Sequence, residues 1–139
     1  MESLHRDAIV AELNICIIDD DQDVLHAVRR LLRAAGFAAQ TFSSAEEFLE
    51  SQGQSNPDCL VLDVHMGGIS GFALQDHLVA SGRSIPIVFI TAQDEHATRE
   101  RAEQRGAAEY LRKPFEDQSL IGAIHRAIGR DTDRPATRA

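Results

Sequence analysis

Four stretches of this sequence carry side chains suited to a single reaction: Asp19-Asp20-Asp21, Asp63, Thr91 and Lys113. Each follows a short apolar run. Ile15-Cys16-Ile17-Ile18 leads into the acidic triplet, Cys59-Leu60-Val61-Leu62 into Asp63, and Ile87-Val88-Phe89-Ile90 into Thr91, while Glu109-Tyr110-Leu111 precedes Lys113. Several carboxylates at one site repel one another and raise one another's pKa unless a cation is present. A hard divalent ion such as Mg²⁺ removes that repulsion and prefers oxygen ligands with some water retained. Phosphoryl transfer needs an in-line nucleophile, a metal, and positive charge on the equatorial oxygens. Asp63 can be a carboxylate nucleophile that forms an acyl phosphate. Lys113 can supply a point charge for the phosphoryl oxygens, and Thr91 a hydroxyl.

These residues are useful together only if the fold carries them to one place. The continuous apolar runs read as strands buried on both faces. Between them lie segments with helical spacing. Val24, Leu25, Val28, Leu31 and Leu32 form an apolar stripe that Gly36 closes. Phe37 to Phe42 reads as a weaker second strand. Ser43 or Ser44 caps a short helix carrying Phe48 and Leu49, with Glu46 and Glu47 at its positive end. A glycine-containing loop (Gly67, Gly68, Gly71) opens a third helix with Phe72, Leu74, Leu78 and Val79. The segment from Glu95 to Arg105 is helical in propensity but polar, with Ala97 and Ala102 its apolar residues. Leu120, Ile121, Ile124 and Ile128 give the last helix its apolar face.

Five β–α units in strict alternation predict an α/β fold, a doubly wound five-stranded parallel sheet with helices on both faces. Ligands of such sheets sit outside the carboxyl ends of the strands, where the strand order reverses. The four reactive stretches fall at that edge. Residues 1–12 are expected to be an N-terminal extension, 13–128 the globular domain, and 129–139 a polar tail or linker stub.

Composition narrows the function. The 139 residues carry a formal net charge of −8, which argues against nucleic acid as the partner of this domain. No apolar run approaches the length of a membrane helix, and the first residues lack the pattern of a signal peptide, so a cytoplasmic location without membrane contact is expected. Cys16 and Cys59 lie inside apolar runs and are expected to be buried core residues.

The motifs Ile18-Asp19-Asp20-Asp21, Leu62-Asp63-Val64-His65-Met66, Ile90-Thr91-Ala92 and Lys113-Pro114-Phe115 together resemble the receiver domain of two-component response regulators. Gly71 and the stretch Lys113-Pro114-Phe115-Glu116 look most like the receivers of nitrogen-fixation-type regulators. The resemblance implies a flavodoxin-like (βα)5 fold with strand order 2-1-3-4-5. It implies that Asp63 is phosphorylated by a sensor histidine kinase or a histidine phosphotransfer protein. Mg²⁺, or Mn²⁺ in its place, would be held by Asp20, by Asp19 through water, by Asp63 and by the backbone carbonyl of His65. Thr91, Ala92 and Lys113 would bind the phosphoryl oxygens, and the Lys113–Pro114 bond would be cis. Thr91 and Tyr110 would act as the switch that relays the change to the surface of helix four, strand five and helix five, which can also join two copies as a homodimer. No separate substrate turnover is expected. One departure stands out: Met66-Gly67-Gly68 replaces the family's common Met-Pro, and two glycines should loosen that loop.

Two other functions bear on the same residues. Asp19 and Asp21 have the Asp-x-Asp spacing of haloacid-dehalogenase-type phosphatases, although Gln22-Asp23-Val24 follows where that class has Gly-Thr. A binding module that works without phosphorylation is the other. Within the acidic cluster, Asp21 or Asp23 can also serve as a helix N-cap.

Overall fold

A computed structural model describes residues 12–51, 56–93, 95–107 and 109–132. Among the described residues, ten elements alternate: β1 (Asn14–Ile18), α1 (Gln22–Ala34), β2 (Ala38–Phe42), α2 (Ala45–Glu50), β3 (Cys59–Asp63), α3 (Gly71–Ala80), β4 (Ile87–Thr91), α4 (His96–Gln104), β5 (Glu109–Arg112) and α5 (Asp117–Thr132). The strands form one parallel sheet in the order β2-β1-β3-β4-β5. The expected architecture and strand order are both met.

Continuous apolar strands supply both layers of the core, because successive side chains of one strand point to opposite faces. Ile15, Ile17, Val61 and Ile90 pack with Leu25, Val28 and Leu32 of α1 and with Leu120 and Ile124 of α5. Ile18, Leu60, Leu62 and Phe89 pack on the other face with Phe48 of α2, Phe72 and Leu74 of α3, and Ala102 of α4. Cys16 and Cys59 are buried free thiols on opposite faces of the sheet. Burial pushes both up to about 12, so neither is a nucleophile near neutral pH.

The ends of the helices follow local chemistry. Asp21 is the N-cap of α1, its side chain accepting from the amides of Asp23 and Val24. Ser44 caps α2 and Ser70 caps α3. Gly36 and Gly106 follow α1 and α4 in the left-handed region, with φ of 97° and 77°. One expectation needs correction. The last helix does not stop before residue 129 but runs to Thr132, because Gly129 does not take the positive φ that ends α1 and α4. Of the expected tail, residues 133–139 lie outside the described residues, as do residues 1–11 of the expected extension. In α4 the buried residues are Thr98 and Ala102, spaced i, i+4, and Ala97 is exposed.

With so little apolar surface, α4 is held to α3 by polar contacts. The Arg105 guanidinium donates to Gln75 Oε1 at 2.7 Å and to the Phe72 carbonyl at 2.9 Å, and it pairs with Asp76. Arg101 and Arg105 both lie over the Phe72 ring, at 4.6 and 5.2 Å from its centroid. Arg105→Ala is expected to destabilise the protein by about 2 kcal/mol, because it leaves a half-buried carbonyl and amide without their donor. Amide exchange in α4 should quicken well before that in α3. Equal exchange in both helices would contradict this role.

Candidate functional site

The register of the sheet decides what meets at its carboxyl edge. Ile18 pairs with Leu62, so the next residues along, Asp19 and Asp63, stand side by side on neighbouring strands. Asp63 pairs with Ile90, which leaves Thr91 one residue further along β4. Thr91 in turn pairs with Arg112, and its carbonyl accepts the Lys113 amide at 2.8 Å. Strand order reverses between β1 and β3, so the edge at Asp19 and Asp63 is the switch point of the sheet.

Three carboxylates converge there. Oxygens of Asp19, Asp20 and Asp63 all lie within 4.8 Å of one another. Asp19 is fully buried and Asp63 nearly so, while Asp20 is exposed. The Lys113 ammonium donates to Asp19 Oδ2 at 2.8 Å and stands 3.6 Å from Asp63 Oδ2. Asp19 Oδ1 accepts the Asp21 amide at 2.9 Å, so both of its oxygens are engaged. Asp63 Oδ1 accepts the His65 amide at 3.3 Å.

The electrostatics follow from this crowding. Burial, and then the charge of Asp19, push the Asp63 carboxyl up to about 7, against the pull of Lys113 and of the His65 amide. Burial by itself would lower the Lys113 pKa. Its bond to Asp19 and the charges of Asp63 and Asp19 outweigh that, and the ammonium is held above its ordinary value. One lysine therefore does not fully neutralise the cluster. An all-oxygen donor set with a surplus of negative charge and one exposed carboxylate fits a hard divalent cation such as Mg²⁺.

The remaining predicted residues are placed as follows. Thr91 is buried, and its Oγ1 accepts the Gln93 amide at 3.0 Å. Ala92 is exposed and, with Asp21, Val24, Lys113, Pro114 and Phe115, lines a groove of about 420 Å³ beside α1. The Lys113–Pro114 bond is cis. His65 is an exposed loop residue. Tyr110 lies two residues back from the edge, in register with Phe89 and half-buried, with the Arg99 guanidinium 4.5 Å from its ring centroid. Asp21 Oδ1 is taken up by its capping bonds to α1, a role that does not favour the nucleophile and acid pair with Asp19 that a phosphatase of the Asp-x-Asp type requires.

Three contacts at the site carry no signal in the sequence. Gly71 touches the end of β3: a Cβ there would collide with the Asp63 carbonyl oxygen and come within 3.1 Å of Val64 Cα. Glu46 of α2 reaches the Gly68–Ile69 loop, 23 residues away. Arg99 covers Tyr110. All three depend on contacts between distant segments, which spacing along the chain does not encode.

Residues 15–125 match the family model described as the response regulator receiver domain. The chain belongs to this family.

Among relatives, the receiver is 40% identical over 114 residues to the response regulator protein TmoT of Ectopseudomonas mendocina, covering 82% of this chain and 52% of that protein. It is 34% identical over 122 residues to the transcriptional regulatory protein FixJ of Azorhizobium caulinodans, covering 88% of this chain and 58% of FixJ, which meets the expected likeness to nitrogen-fixation-type regulators. The structure of the response regulator StyR superposes with a TM-score of 0.80 at 43% identity, over 92% of this chain and 65% of that one. The receiver thus spans about half the length of the curated relatives it matches. Receivers of this family are signalling proteins of two-component systems rather than classical enzymes. Among the described residues, no helix is long and apolar enough to cross a membrane.

Proposed function

We propose that this receiver stores a signal as an acyl phosphate on Asp63, accepted from a sensor histidine kinase or a histidine phosphotransfer protein. The observation that carries the reading is the meeting of Asp19, Asp20, Asp63 and Lys113 at the switch point of the sheet. An oxygen of the Asp63 carboxylate attacks the donor's phosphorus, the phosphorus–nitrogen bond of a phosphohistidine breaks, and the imidazole leaves with its electron pair. Asp20 would hold Mg²⁺ directly, Asp63 and the His65 carbonyl would complete the protein ligands, and Asp19 would act through water, in keeping with its two engaged oxygens. Mn²⁺ would serve in its place. Bound Mg²⁺ supplies the positive charge that keeps Asp63 ionised and draws charge from the phosphoryl oxygens. Lys113 then exchanges its Asp63 contact for a phosphoryl oxygen, while Thr91 Oγ1 and the Ala92 backbone bind the others.

The relay begins at Thr91. Moving its hydroxyl towards the phosphoryl group gives up the bond from the Gln93 amide and opens space into which Tyr110 turns. The few apolar contacts of α4 make it the element easiest to shift. The changed surface of α4, β5 and α5 is the output, available to a downstream partner or to a second copy of the chain, in the cytoplasm. The phosphoryl group returns to water by hydrolysis at the same site, with no separate substrate turned over. Beryllofluoride with Mg²⁺ is expected to shift the amide resonances of Thr91 and Tyr110. An unchanged spectrum, or the same change in Asp63→Asn protein, would overturn the proposal.

A further inference from the structure

Gly67 and Gly68 stand in the loop that leads from Asp63 into α3, and the loop is held from outside. Glu46 Oε2 accepts the Ile69 amide at 3.4 Å. The same oxygen lies only 2.6 Å from where a Cβ on Gly68 would stand, so the carboxylate rests against the bare Cα of a residue with φ of 74°. On the other side of the loop, the Gly67 amide donates to Asp20 Oδ2 at 3.4 Å. The loop is therefore strung between two carboxylates, one from α2 and one from the acidic site.

The base of this clamp is firm. Glu46 sits in the first turn of α2, and that turn is tied twice: the Glu47 amide donates to Ser44 Oγ at 3.0 Å, and the Ser43 amide to Glu47 Oε1 at 2.7 Å. Ala45 and Phe48, on either side of these residues, are fully buried. The carboxylate of Glu46 is thus presented from a fixed turn to a loop with two glycines, the residue type that leaves a chain most freedom.

We propose that Glu46 is a positioning residue for the metal site. It substitutes for the stiffness that two glycines remove, and by fixing Gly67 and Gly68 it keeps the Gly67 amide on Asp20 and so orients that carboxylate towards the ion. The second half of this inference rests on the reading that Asp20 holds the metal; the clamp itself does not. Glycine at position 68 also leaves room for the Glu46 carboxylate, which a side chain there would displace.

Glu46→Ala and Glu46→Gln separate the clamp from simple charge, since glutamine keeps an acceptor oxygen and loses the negative charge. Amide exchange of the metal-free full chain and a titration with Mg²⁺ alone, both followed by amide resonances, give two independent readings. In Glu46→Ala the Ile69 and Gly67 amides are expected to exchange about fivefold faster, and Mg²⁺ to bind about fivefold more weakly. In Glu46→Gln both quantities should stay within about twofold of the wild type. Unchanged exchange in Glu46→Ala would overturn the clamp. Equal weakening of Mg²⁺ binding by both variants would reduce Glu46 to a distant charge and overturn its positioning role. If the wild type itself takes up no Mg²⁺, the metal reading fails, and the exchange rates still decide whether Glu46 holds the loop.

Discussion

Asp63→Asn is expected to raise the unfolding temperature of the metal-free protein at pH 7 while ending its capacity to accept a phosphoryl group. The two effects have one cause. Burial and the neighbouring Asp19 push the Asp63 carboxyl from 3.8 to about 7, so the folded state binds a proton more tightly than the unfolded chain. Between about pH 4 and pH 7 the folded protein holds more protons than the unfolded one, and stability must fall as the pH rises. The contribution is fully present below the unfolded value and is lost as the pH climbs through 7. A shift of this size corresponds to on the order of 2–4 kcal/mol at neutral pH. Asparagine keeps the shape and an acceptor for the His65 amide but has no charge to bury. The variant should therefore melt roughly 6 °C higher at pH 7 without metal, and close to the wild type at pH 4. Saturating Mg²⁺ should narrow the gap, since it stabilises the carboxylate form by mass action. A variant no more stable than the wild type at pH 7 would contradict this picture of the site.

Gly71→Ala is expected to be among the most damaging single-methyl additions in the molecule, with a loss of about 3 kcal/mol. The position needs no unusual backbone: its φ is not positive, and its amide simply donates to the Val64 carbonyl at 3.0 Å. What it needs is space. An added Cβ would strike the carbonyl oxygen of Asp63 and stand 3.2 Å from its carbonyl carbon. These are backbone atoms of a central strand, which cannot swing aside as a side chain can. The first turn of α3 would have to move away from the end of β3, and Asp63 would shift with it. Chemical denaturation should register the loss of stability, and Mg²⁺ binding should weaken in parallel. Gly129→Ala is the matched comparison, since nothing lies within 4 Å of a Cβ there and the residue is inside α5; it should stabilise by up to about 1 kcal/mol. Similar effects from the two substitutions would show that close approach at Gly71 does not matter.

The fold was legible because its strands are continuous apolar runs and its helices have amphipathic stripes, signals that survive in a single sequence. Ile15 to Ile18 and Cys59 to Leu62 could hardly be anything but inner strands, and Asp19 and Asp63 follow them directly. Parallel pairing then brings the two carboxylates together without further information. The end of α5 at Thr132, four residues into the expected tail, has no such signal, since a glycine inside a helix reads the same as a glycine after one until its φ is known. In α4, Thr98, a polar type, takes a core position that its neighbour Ala97 leaves to solvent, which residue type does not reveal. Glu46 read as a helix-dipole residue, which it also is. Its grip on Gly68 and Ile69 is a property of the folded loop and has no signature in spacing.

The most direct test of Asp63 as phosphoryl acceptor is trapping of the modified residue. The protein would be treated with Mg²⁺ and a small acyl phosphate donor, reduced with borohydride, and digested for mass spectrometry. Reduction converts an aspartyl phosphate to homoserine, and the expected result is that conversion at Asp63 alone, dependent on Mg²⁺ and lost in Lys113→Ala. Conversion at Asp19 or Asp20 instead, or none at all in a protein that binds Mg²⁺, would contradict the assignment.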